Sequence, residues 1–217
     1  MRTFGPHDIL FILQAAQWTV LLSLIAFVGG AMGGLIVALA RTSESVVAQR
    51  CALVFTQIFQ GTPLLMQLFL VFFGAPVLGL DVSPWVAAGF ALVLNTSAFL
   101  GEIWRGCIQA VPRGQWEAGE ALGMGYVARM RRVILPQAAT IALPPTVGYM
   151  VQVIKGTSLA AIIGFTEITR AGQIINNATF QPLIVFSVVG ATYFALCWPL
   201  SLGASRIERR RELAQAR

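Results

Sequence analysis

"EAGEALGMGYVARMRRVILP", residues 117–136, places two glutamates, three arginines and three glycines in the middle of a chain that is 57% apolar. An ion at the centre of a membrane helix costs about 2.5–3.5 kcal/mol, so the charged stretch from Arg105 to Arg132 belongs outside hydrocarbon. Pro112 suits the first turn of a helix, Trp116, Ala118, Ala121 and Leu122 offer an apolar stripe, and Gly123 and Gly125 end the run. A second short helix starts near Val127 and leads through "RRVILP" into the next apolar run. The expectation is two short helices joined by a glycine bend, lying along the membrane plane. An amphipathic anchor resting on lipid fits the same composition.

The apolar runs around this segment set the fold class. Only 11% of the 217 residues are charged and the mean hydropathy is +0.75, whereas a soluble domain carries roughly 25% charge. Fifteen basic and nine acidic side chains cannot cover a core of this size with polar surface, so lipid covers much of it. A bilayer core about 30 Å thick needs about 20 apolar helical residues. Residues 18–40, 53–78, 85–104 and 181–204 qualify, and 133–165 qualifies as a longer, irregular span in which Pro144, Pro145, Gly148 and Gly156 predict a break. The run from Trp18 exceeds a signal-peptide core and is read as a retained span. The fold class is therefore all-α integral membrane: one domain over residues 1–217, five spans, a loop at 105–132 and a tail at 205–217.

Basic residues orient these spans, because cytoplasmic loops collect Lys and Arg. Arg41 and Arg50 follow the first span; Arg105, Arg113, Arg129, Arg131 and Arg132 follow the third; Arg206, Arg209, Arg210, Arg211 and Arg217 follow the fifth. The other side holds only Arg2 and Arg170. This predicts an N-terminus outside and a C-terminus in the cytoplasm. The same topological placement accounts for a net charge of +6 without nucleic acid. Cys51, Cys107 and Cys197 lie far apart with no CxxC or Cys/His spacing, and are read as small buried side chains, neither disulfides nor metal ligands.

Several features inside the spans are candidates for function. "GGAMGG" at 29–34 contains two overlapping GxxxG pairs, a smooth face for another helix of this chain or of a second subunit. Gly61 and Pro63 kink or restart the second run and could open a cavity. Polar groups at membrane depth default to functional hypotheses. Asn95 and Ser97 sit midway along the third span and Glu102 lies two turns after Asn95, where the alternative is an i,i+3 pair with Arg105. Gln152, Lys155, Thr157 and Ser158 could meet a carboxylate if a helix restarts after Gly156, with a structural clamp by Lys155 as the alternative. Gln67 is a further, weaker candidate for a substrate pathway. The polar stretch 166–181 could form a short helix on the outer side.

At this point the chain becomes recognisable. Glu117 and Ala118, Gly123 six residues after the glutamate, and Ile134-Leu135-Pro136 resemble the EAA loop of bacterial ABC importer permeases. "QGTPLLMQLFLVFFG" (60–74), "LNTSAFLGEIWRGCIQAVPRGQWEAGEALG" (94–123) and "IKGTSLAAIIGFTEITRAGQ" (154–173) resemble the polar amino acid subfamily, over about three quarters of the chain. Two positions depart from the pattern: Gly119 replaces the second alanine of the motif, and Met130 stands where phenylalanine is frequent. The resemblance implies a type I importer permease in the bacterial inner membrane. Its loop, through Arg113, Trp116, Glu117, Ala118, Gly119, Glu120, Gly123 and Tyr126, would dock on a separate ATP-hydrolysing subunit, with Glu117 capping or anchoring the helix. It also implies a second permease chain, identical or paralogous, two ATP-binding subunits carrying ATP and Mg, a periplasmic binding protein over 166–181, and an amino acid substrate.

The residues independently argue that the energy comes from elsewhere. The single lysine, Lys155, follows Ile154, so no GxxxxGK[ST] phosphate-binding loop exists. The one histidine is His7, and neither HExxH nor GxSxG occurs, so no catalytic residue or chain-bound cofactor is assigned. A membrane scaffold without transport activity, or a small integral enzyme, is the alternative reading.

Overall fold

The computed structural model describes residues 2–215, with side chains described through Arg209; Arg217 of the predicted tail lies outside the described residues. The chain runs α1 (Pro6–Thr42), α2 (Val46–Gly61), α3 (Leu64–Val77), α4 (Pro84–Gln109), α5 (Arg113–Ala121), α6 (Tyr126–Arg129), a π-helical turn (Met130–Ile134), α7 (Leu135–Gly156), a 3-10 turn (Thr157–Ile163), α8 (Ile168–Thr179) and α9 (Pro182–Gln215). Side chains start several of these helices: Ser45 and Ser83 accept backbone N–H groups at α2 and α4, and Pro84 stands at the first position of α4. The core is built mainly on α1 against α4, with α3, α7 and the 3-10 turn closing over them.

Four helical stretches among the described residues are long and apolar enough to cross a bilayer: 6–42, 84–109, 126–163 and 182–209. The expected second span is instead two helices, α2 and α3, meeting at 99°, so the fifth span exists only if this bent pair is counted as one. The first helix begins at Pro6 rather than Trp18, and at 37 residues it rises about 55 Å, well beyond the hydrocarbon thickness.

The glycine run settles its own alternatives. A methyl group at Gly30 would overlap Thr96, one at Gly33 would overlap Ser97, and one at Gly34 would press on Leu100 and Gly101, all on α4. The smooth face therefore serves packing within the chain. The fourth span also differs from expectation. Helix α7 continues without a break through Pro144 and Pro145, and changes only at Gly156, where it tightens into the 3-10 turn ending at Gly164 (φ +86°). Proline's fixed φ is compatible with helix, and neighbouring helices at membrane depth compensate for the lost N–H bonds. No restart with free amide groups follows Gly156, since Thr157 enters the turn in helical conformation. Cys107 and Cys197 are buried as expected, but Cys51 is exposed on α2.

Candidate functional site

Residues 113–129 fold as an elbow. Helix α5 ends in a Schellman motif: the Gly123 N–H binds the Glu120 carbonyl (2.9 Å) and the Met124 N–H binds the Gly119 carbonyl (3.0 Å). Gly123 sits at φ +69°, a conformation in which any side chain is strained. Its role as the bend residue follows directly.

Arg129 clasps the two arms together. Its guanidinium lies 5.7 Å from the Trp116 ring centroid, and its Nη1 is 3.5 Å from Glu120 Oε1. Its aliphatic stem crosses Gly119, where a Cβ would come within 3.0 Å of the arginine Cγ. Glycine at this motif position is thus matched to the arginine ten residues on. Tyr126 ties the elbow to the bundle, donating its hydroxyl to the Thr42 carbonyl at the end of α1 (2.7 Å). Below the arms, Met130 and Ile134 are buried with Ala38, Ile108, Val111 and Ala138, and Trp116 and Tyr126 pack against this cluster.

The outer face of the elbow is bare. Arg113, Glu117, Ala118 and Glu120 are exposed, alongside Leu122 at 79% and Val127 at 75% exposure. The apolar stripe predicted on α5 is therefore split: Trp116 turns inward, while Ala118, Ala121 and Leu122 face out. Glu117 does not cap the helix. It lies in the middle of α5, whose N-cap is Pro112 with no side-chain bond, too far along to reach the free first-turn amides.

The polar groups assigned to a pathway separate into two sets. Gln67 and Asn95 hold the bend between α2 and α3: the Gln67 amide donates to the Phe59 carbonyl (2.9 Å), the Thr62 carbonyl (3.1 Å) and Thr62 Oγ1 (2.9 Å), and Asn95 donates to Gln67 Oε1 (3.1 Å) and the Phe59 carbonyl (3.3 Å). Gln60 reaches across to the Ala98 carbonyl (3.1 Å). A helix broken at membrane depth leaves carbonyls without partners, and these amides supply them. Ser97 donates to the Val93 carbonyl against Gly33, and buried Thr157 donates to the Ile154 carbonyl. Glu102 takes the ion-pair alternative, accepting from Arg105 Nε (2.8 Å), with Arg41 at 3.8 Å. These five residues are engaged with the protein itself. Gln152 and Lys155, by contrast, are exposed one turn apart on α7, and Ser158 follows one turn later with its hydroxyl on the Lys155 carbonyl.

Comparison with known proteins fits this arrangement. A family model described as "binding-protein-dependent transport system inner membrane component" matches residues 30–212. The chain belongs to that family. It is 35% identical over 204 residues to the glutamine transport system permease protein GlnP of Escherichia coli K12, covering 93% of each chain, and 38% identical over 194 residues to the L-cystine transport system permease protein TcyB of Bacillus subtilis, covering 89% of this chain and 83% of that one. Its fold superposes on a chain in the crystal structure of an amino acid ABC transporter with histidines at a TM-score of 0.87, with 33% identity over 92% of this chain and 94% of the other. A methionine ABC transporter chain, at 17% identity and a TM-score of 0.75, shares the fold. The expected amino acid permease family and its all-helical fold are thereby established.

Two residues of this family member escaped the sequence reading. Arg129 carries the elbow, and its only sequence signal is a glycine where alanine is expected on the facing helix. Glu167 is fully buried and caps α8 by accepting the Arg170 N–H (2.9 Å), while Tyr193 of α9 donates to its other oxygen (2.5 Å). The neighbouring Ile168 N–H binds Thr19 of α1 at 3.3 Å. Burial pushes the Glu167 carboxyl above the ordinary glutamate range, against the opposing effect of these hydrogen bonds. No periodicity marks a single acid in a polar stretch as buried. The predicted short helix of that region is α8.

Proposed function

We propose that this chain is the transmembrane permease subunit of an ATP-driven importer of a polar amino acid in the bacterial inner membrane, and that the α5–α6 elbow is where a separate ATP-hydrolysing subunit grips it. The observation that carries the reading is the contrast within the elbow. Its inner side is tied by Arg129, Tyr126 and the packed cluster beneath, while Glu117, Leu122 and Val127 are left outward, an acid flanked by apolar contacts suited to a protein groove. Movement imposed there would pass through Trp116 and Met130 into α1, α4 and α7.

The rest of the assembly follows from the family. A second permease chain, the same or a paralogue, completes the pathway, two ATP-binding subunits hold ATP and Mg, and a periplasmic binding protein delivers substrate near α8. The basic residues support an outer N-terminus and a cytoplasmic C-terminus. Gln152, Lys155 and Ser158 remain as the pathway side of α7. Their exposure leaves a cation and polar groups open to a zwitterion, and sparse contacts favour release over tight retention.

The test is Glu117→Lys in the assembled transporter. Binding-protein-stimulated ATP hydrolysis should be abolished while the permease remains inserted and folded, because an exposed side chain with no capping role contributes little to stability. Wild-type stimulation in that variant would refute the docking role.

A further inference from the structure

A groove of about 550 Å³ opens between α1, α4 and α7, lined by Met32, Leu35, Ile108, Leu135, Ala139 and Leu143 among others, within the range of roughly 300–1,000 Å³ that takes small organic ligands. Its wall is dry. The nearest polar groups satisfy each other, the Trp104 indole N–H donating to Thr146 Oγ1 at 2.8 Å, so an occupant finds nothing there to hydrogen-bond and must be apolar along this length. The groove lies at the helix ends that carry arginine. Arg41 follows the lining residue Ala38 by one turn; its Nη2 lies 3.8 Å from Glu102, which Arg105 also neutralises, and its Nε is buried without a hydrogen-bond partner. Arg131 and Arg132 precede Leu135 by about one turn on the same continuous helix, exposed and without an ion pair among the described residues.

We propose that this groove is a binding site for one anionic glycerophospholipid, with an acyl chain along Met32, Leu35, Ala139 and Leu143 and the phosphate at Arg41, Arg131 and Arg132. A hydrocarbon slot with a cationic rim at one end matches the two halves of such a molecule, and neither a free anion nor an apolar peptide matches both. Met32 at 68%, Leu35 at 47% and Leu143 at 53% exposure leave the slot open along the side that lipid reaches. The site requires only that the chain sits in a bilayer. It does not depend on where the ATP-hydrolysing subunit docks.

The experiment compares the purified transporter complex after reconstitution in phosphatidylglycerol or in phosphatidylcholine, with lipids retained after detergent extraction counted by native mass spectrometry. Wild type should keep about one phosphatidylglycerol per permease chain at this site and exchange phosphatidylcholine freely, with preference falling roughly fivefold for each of Arg131→Gln and Arg132→Gln. Ala139→Phe fills the slot and should remove the retained lipid while the complex still elutes intact. A photo-crosslinking residue at Met32 gives a readout independent of that substitution: it should label phospholipid. Labelling of a second permease chain, equal retention in Ala139→Phe, or no preference between the two headgroups would overturn the proposal.

Discussion

The α1–α4 frame and the α5–α6 elbow solve opposite problems with the same small residue. In the frame, Gly29, Gly30, Gly33 and Gly34 let α4 side chains sit against the α1 backbone, so that two helices lock over several turns. In the elbow, Gly119 admits a single arginine stem and Gly123 allows one bend, so the joint rests on a guanidinium over Trp116, an ion pair open to water only on its Glu120 side, one tyrosine hydroxyl and the small apolar cluster around Met130 and Ile134. An ion pair open to water on one side contributes about 0–1 kcal/mol, and a cation–π contact about 0.5–2 kcal/mol depending on its desolvation. The frame is locked along several turns, while the elbow is held at fewer points, as the proposed docking role requires.

The largest effect expected on this comparison comes from Gly30→Leu. Its Cβ overlaps Thr96, whose own position on α4 is buried, so the helices must separate, at a cost above the roughly 1–3 kcal/mol of ordinary overpacking. Loss of the monodisperse permease peak in detergent chromatography checks this. Next comes Gln67→Leu, which strips donors from the Phe59 and Thr62 carbonyls at the α2–α3 bend. A loss of about 1–3 kcal/mol is expected, read as a lower thermal midpoint, with transport falling only in proportion to folded protein; a selective loss of substrate affinity would return Gln67 to the pathway.

Arg129→Ala should lower stability by about 1–2 kcal/mol, through the lost cation–π contact and stem packing, and yet reduce coupling of ATP hydrolysis to transport, since the arms of the elbow come apart while the frame is untouched. Equal losses in both would mean that the elbow belongs to the frame. The smallest effect is a pH slope. The Glu167 carboxyl holds its proton more tightly when folded than the ordinary glutamate value of about 4.3. Between that value and its raised folded one the native state binds more protons, so Glu167 should make stability fall as pH rises through this window. Glu167→Gln, which keeps an oxygen for the Arg170 N–H, should flatten that slope in pH-stepped thermal unfolding.

Particular residues show what could be read from order alone. Gly123 six residues after Glu117 identified the bend, because a helix followed by glycine needs a left-handed residue whatever surrounds it. The five apolar runs identified a membrane protein, because hydrocarbon thickness counts residues directly. Asn95, Ser97 and Gln67 show the opposite case, since their order in the chain does not name their hydrogen-bond partners. A polar side chain in an apolar run shows that it needs a partner, but not which one: Ser97 uses a carbonyl one turn back on its own helix, Gln67 uses carbonyls across the α2–α3 bend, and Asn95 uses the Phe59 carbonyl 36 residues away. Arg129 and Glu167 were missed because the groups that use them lie on other helices.

The sequence by itself determined the family, the helical class and the bend, all properties of composition and short spacing. Only tertiary structure decided that the glycine run faces α4, that the second apolar run turns through 99°, and that the amides in the membrane serve the backbone. The physical reason is the requirement that every polar group buried from water find a partner. Chain order states that demand, and three-dimensional packing alone selects which group meets it.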